Sequence, residues 1–119
     1  MKYDADFWNM LEKLVERSEI VIDRPKGTRH PQYANIIYPI DYGYLKDTAS
    51  MDGSGIDVWM GTLPMHSIDA VMCTVDLIKC DSEIKILIGC AEKEIQAVYD
   101  FHNDSEYMKG ILIRREVVK

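Results

Sequence analysis

The sequence has no apolar run near the roughly 20 residues that a membrane-crossing helix requires, so no membrane helix is expected. It has no excess of basic residues: 14 Lys and Arg stand against 20 Asp and Glu, for a net charge of −6. A nucleic-acid-binding domain normally carries a basic face, so that class is disfavoured. An acidic chain that binds an anion needs locally concentrated positive charge or a metal ion. Cysteine is sparse and odd in number (Cys73, Cys80 and Cys90), with no CxxC pair. Neither a disulfide framework nor a zinc site is expected, and buried reduced thiols in a cytoplasmic protein are. The N-terminus lacks a basic stretch followed by an apolar core, so no signal peptide is expected. Nucleophile elbow, P-loop and dinucleotide fingerprint are all missing. His30, His66 and His102 have no metal-ligand spacing among themselves.

What remains is a chain of 119 residues, 47% apolar and 29% charged, without repeats, low-complexity tracts or linkers. Residues 1–119 are therefore expected to form one domain with a single core. Phe7, Trp8, Leu11, Leu14 and Val15 recur at helical spacing and predict a helix over 5–17, with Asp4 as its N-cap. Ile20 to Ile22 reads as a short strand ended by Pro25. Ile56 to Met60 reads as another, after a glycine-rich turn at 52–55. Ala70 to Lys79 and Glu83 to Ile88 read as a hairpin turning near Asp81. A second helix is predicted over 92–103, with Ile95, Val98, Tyr99 and His102 on one face, and a last strand over 111–113. Two helices and several short strands predict a small α+β domain on a partly closed antiparallel barrel.

The chemistry concentrates in carboxylates. Asp52 and Asp57 bracket a turn whose two glycines let the backbone bend both side chains toward one point. Asp57 lies within an apolar run, where an unpaired charge is expensive to bury. Asp81, Glu83 and Lys85 alternate with Ser82, Ile84 and Ile86, which places the three charges on one strand face and the isoleucines 84, 86 and 88 on the core face. Converging carboxylates repel unless a cation lies between them, and the usual neutraliser of an oxygen-only cluster is a hard divalent ion such as Mg2+. Arg24, Lys26 and Arg29 carry the main basic density and suit phosphate oxygens. His102, on an apolar helix face, is expected to be a buried, hydrogen-bonded histidine rather than a base.

These residues resemble the soluble family I inorganic pyrophosphatases. Asp52-Gly53-Ser54-Gly55-Ile56-Asp57-Val58 partly matches that family's Asp-x-Asp-Pro-hydrophobic-Asp-hydrophobic signature. Tyr38-Pro39-Ile40-Asp41-Tyr42-Gly43-Tyr44 is similar to its Tyr-Pro-x-Asn-Tyr-Gly-Tyr/Phe segment, with Thr48 at the family's distance. Ile22-Asp23-Arg24-Pro25 and Asp81…Glu83-Ile84-Lys85 echo its Ile-Glu-x-Pro and Asp…Asp-x-Lys stretches. The resemblance implies an OB-like antiparallel β-barrel with an N-terminal and a C-terminal helix, and hydrolysis of pyrophosphate to phosphate by a Mg2+-activated water, with Mn2+ as a substitute. It implies Asp52, Asp57, Asp81 and Glu83 as metal ligands. Tyr42, Lys85, Asp23 and Ser54 would be the catalytic groups, and Lys85, Arg29, Tyr42 and Lys26 the substrate binders. It also implies a cytoplasmic homo-oligomer. Ser54 stands where the family has its middle aspartate, His102-Asn103 where it has Tyr-Lys, and Gln32 and Ala34 where it has Lys and Glu; the arginine-bearing hairpin is missing. Those departures imply weak turnover, another phosphoanhydride as substrate, or a metal- and phosphate-binding module without turnover.

Overall fold

The computed structural model of the protein describes residues 2–50 and 53–115, and Asp52, one of the expected metal ligands, lies outside them. Helix α1 runs Lys2–Glu16 and α2 Glu92–Asn103; the strands are β1 Ile20–Arg24, β2 Asp41–Leu45, β3 Ile56–Met60, β4 Ile68–Asp76, β5 Asp81–Ile88 and β6 Met108–Arg114. They form one six-stranded sheet in the order β1-β2-β3-β5-β4-β6. Two features differ from the expected antiparallel barrel. The sheet is open, with β1 and β6 as its two edges, and β3 pairs with β5 in parallel while the other neighbours are antiparallel.

Alternation along the strands gives the sheet two apolar faces. Val58, Val71, Ile86 and Ile88 gather with Leu45 and Trp8 of α1, and Leu11, Leu14 and Val15 of the helix pack against them. Trp59, Met72 and Leu87, one residue along on the same strands, gather with Tyr38, Ile40 and with Ile95 and Val98 of α2. The helices therefore cover opposite faces. Ile84 departs from the expected core set: it lies on the α1 face with Ile86 and Ile88 but is 46% exposed, and Glu83 and Lys85 are buried on the other face.

Local chemistry explains the shifted boundaries. Helix α1 begins before the expected residue 5, so Asp4 sits inside its first turn, where a carboxylate favours the helix dipole, rather than at the cap. The β4–β5 turn comes earlier than expected because Asp76 makes it: its Oδ1 accepts from the backbone N–H of Ile78 (2.9 Å) and Lys79 (3.0 Å), and Cys80 closes it in the left-handed region at φ 56°. Cys80 is consequently exposed and Cys73 half-buried, so the expectation of buried thiols holds for Cys90 alone. Burial, with Asp69 and Glu94 nearby, pushes the Cys90 thiol up to about 12. At the β1–β2 crossing the chains approach so closely that a Cβ on Gly43 would collide with the Val21 carbonyl.

Candidate active site

The site grows out of one register. In the parallel β3–β5 pair Asp57 lies opposite Lys85, and in the antiparallel β2–β3 pair Tyr42 lies opposite Trp59. Asp57, Trp59 and Lys85, Leu87 thus share the α2 face, and the polar pair continues the core beyond the apolar one. Glu83, two residues before Lys85, joins the same face. Lys85 Nζ donates to Asp57 Oδ2 at 2.7 Å, to Tyr42 OH at 2.8 Å and to Glu83 Oε2 at 3.2 Å. The Lys85 side chain is 7% exposed and that of Glu83 6%, whereas that of Asp57 is 24% exposed.

The electrostatics follow from that packing. Burial opposes the charge on Lys85, but Tyr42 and Asp57 outweigh it and hold the ammonium protonated well above the ordinary lysine range. Burial raises the Glu83 carboxyl above its ordinary range, opposed by Lys85 and reinforced by Asp57 and Asp81. Burial likewise drives the Tyr42 hydroxyl well up, so it remains a neutral donor. Among the described residues, Glu83 Oε1 is buried without a hydrogen-bond partner. Such an atom normally costs about 1–3 kcal/mol, more for a charged group, unless an ion or water completes it.

An aromatic stack holds this network from behind. Tyr42 packs on Trp59 with ring centroids 4.5 Å apart, Tyr38 on Tyr42 at 5.3 Å, and Phe101 of α2 on Trp59 at 5.2 Å. Trp59 Nε1 donates to His102 Nε2 at 3.0 Å, and His102 Nδ1 lies 3.3 Å from the Met108 sulfur. Nε2 must be an acceptor, so His102 is neutral; burial, with Lys85 adding a smaller push, lowers it to about 3. Asn103 staples the end of α2 to β6, donating to the Gly110 carbonyl at 3.1 Å and accepting from its N–H at 3.0 Å.

In front of the network lies a cleft of about 440 Å³ lined by Asp23, Arg24, Tyr42, Gly43, Tyr44, Ser54, Gly55, Asp57, Lys79 and Lys85. Of the residues singled out in the sequence, Tyr42, Asp57, Glu83 and Lys85 are in direct contact, and Asp23 and Ser54 border the cleft. Asp81 stands on the same strand as Glu83 and acts on it through space. Lys26 and Arg29 lie on an exposed loop outside the cleft lining; the Lys26 N–H donates to Asp41 at 2.8 Å and the Arg29 guanidinium to the Ala34 carbonyl at 2.6 Å. Lys79 was not legible as a cleft residue in the sequence, because it sits on a turn that carries no motif.

Among the described residues, no three acidic, histidine or cysteine side chains lie close enough together to hold a metal ion. The cation already between Asp57 and Glu83 is Lys85. The donor set is nevertheless oxygen-only, and Glu83 Oε1 is an unsatisfied acceptor, which fits a hard divalent ion.

No family model matches the chain. In sequence it is 30% identical, over 80 residues, to the inorganic pyrophosphatase of Methanosarcina acetivorans; the match covers 51% of this chain and 46% of that protein. The chain thus spans less than half the length of the curated relative it matches. In structure it superposes on an inorganic pyrophosphatase from Neisseria gonorrhoeae with a TM-score of 0.61 at 18% identity, over 76% of this chain and 77% of that one. A second, from Coxiella burnetii, gives 0.59 at 16% identity, over 80% and 84%. Over part of its length the chain is similar in sequence to an inorganic pyrophosphatase, and it shares the fold of solved inorganic pyrophosphatases. The two residues expected where pyrophosphatases have a Tyr-Lys pair have structural partners here: His102 accepts from Trp59, and Asn103 ties α2 to β6.

Proposed function

We propose that the protein hydrolyses inorganic pyrophosphate to phosphate in a Mg2+-dependent reaction, with the Asp57–Lys85–Glu83–Tyr42 network as the base of its active site. The observation that carries the reading is the hydrogen-bonded meeting of two carboxylates, a lysine and a tyrosine from β2, β3 and β5 beneath a cleft that also contains Arg24 and Lys79. Asp57, Asp81 and Glu83, together with Asp52 outside the described residues, would hold the divalent ion. Bound there, it would acidify the attacking water and neutralise phosphate oxygens. Lys85 then lies beside the substrate as a permanently charged group, and Tyr42 as a neutral hydroxyl, so both would stabilise charge on the departing phosphate without exchanging a proton. Water adds to one phosphorus, the bridging P–O bond breaks, and the departing phosphate takes up the proton. Ser54 borders the cleft where the family has an aspartate, so general-base help worth about 10²–10⁴-fold is missing and slow turnover is expected.

A second reading, a phosphate-binding module without turnover, is favoured by Asn103, whose amide is committed to Gly110 and Tyr99. Phosphate release separates the two readings. Wild-type protein should release phosphate from pyrophosphate with Mg2+, Asp57→Asn should lose both Mg2+ binding and release, and Ser54→Asp should be faster than wild type. Binding of pyrophosphate with no release over hours would leave only the module.

A further inference from the structure

Among the described residues, three cationic side chains line the cleft, and of these Lys85 is the one to which the resemblance to pyrophosphatases assigns a role. Arg24 and Lys79 are the others, brought there by the end of β1 and by the β4–β5 turn. They enter from different parts of the chain, yet both act on one group: His30 is lowered by burial and then by Arg24 and Lys79. Arg24 is held in place, its guanidinium donating to Tyr38 OH and lying 5.4 Å from that ring's centroid. Tyr38 is 3% exposed and packs on Tyr42, so the arginine is anchored to the same aromatic stack as the lysine network. Lys79 is exposed, and the Asp76 turn that holds its backbone N–H brings it to the cleft. Of the three cations singled out by sequence, Arg24 lines the cleft, and Lys26 and Arg29 do not.

We propose that Arg24 and Lys79 are substrate-binding residues of this cleft, together gripping one phosphoryl group of a phosphoanhydride whose other phosphoryl group rests on Lys85 and Tyr42. The assignment rests on the pyrophosphatase reading for its ligand class. Lys85 is already neutralised by Asp57 and Glu83, so a polyanion entering past Asp23 and Asp57 needs further cations, and Arg24 and Lys79 are the ones the cleft supplies. Arg24 offers a planar fork, while Lys79 is a mobile point charge able to follow a ligand of varying length.

The test is calorimetric titration with methylenediphosphonate, which cannot be hydrolysed, in Mg2+, with orthophosphate as a second probe. Lys79→Ala should weaken binding about tenfold, as should Arg24→Met, and Lys79→Arg should restore most of it. Lys26→Ala and Arg29→Ala should bind as wild type. Unchanged melting temperature in Lys79→Ala separates lost binding from lost folding. Wild-type affinity in both Lys79→Ala and Arg24→Met overturns the proposal and leaves the hydrolase reading standing. Weakened binding of both probes in a protein that releases no phosphate from pyrophosphate supports the proposal and overturns the hydrolase reading.

Discussion

Lys85 sets the balance at the scale of single residues. It is a buried cation between two carboxylates, one of them as deeply buried as itself. Breaking such a set by removing one partner strands the remaining charge and typically costs about 3–5 kcal/mol. Lys85→Met should therefore lower stability by about that amount at pH 7.5. Glu83 is already raised by burial, and losing the lysine raises it further. A carboxyl raised in the folded state contributes stability below its ordinary pKa and loses it as pH rises. Urea titration should thus find the Lys85→Met deficit smaller at pH 5 than at pH 7.5, and an equal deficit at both would contradict the network. His102 works in the opposite sense. Its folded value near 3 lies below the ordinary 6.5, so its contribution is present above pH 6.5 and is lost as pH falls toward 3. His102→Gln keeps an acceptor for Trp59 without that titration, so any stability advantage of wild type over the variant should shrink between pH 7 and pH 4.

Among elements, the parallel β3–β5 pair assembles the site, because its register alone sets Asp57 against Lys85. The period-two spacing of Asp81, Glu83 and Lys85 was legible in the sequence, as were both helices and β3 within a few residues. The pairing was not, since nothing local says which strand will lie beside β3. The β4–β5 turn was misplaced because Asp76, at the end of an apolar run, did not read as the turn-forming residue that its two backbone contacts make it. The two edges of the cleft also depend on backbone proximity. Gly43 stands between Tyr42 and Tyr44 and against the Val21 carbonyl, so Gly43→Ala must push β1 and β2 apart. The expected loss is about 1–3 kcal/mol, typical of overpacking, with Arg24 displaced from Tyr38. Thermal unfolding checks the first, and the Tyr38 environment by fluorescence or NMR checks the second.

Taken as a whole molecule, the protein is an acidic chain that brings Tyr42, Asp57, Glu83 and Lys85 together on one face of an open, mixed sheet between two helices. The α+β class was legible from segment patterning, whereas the open edges and the parallel pair depend on long-range pairing that composition and periodicity do not encode. The neutralising cation foreseen for the carboxylates is, among the described residues, an internal lysine, which leaves Glu83 Oε1 as the atom most in need of a divalent ion. The most direct measurement is phosphorus-31 NMR of pyrophosphate incubated with the protein, with Mg2+ in one sample and excess chelator in the other. Conversion of the pyrophosphate signal to orthophosphate with Mg2+ alone is the predicted result. A pyrophosphate signal that persists equally in both samples would contradict the account.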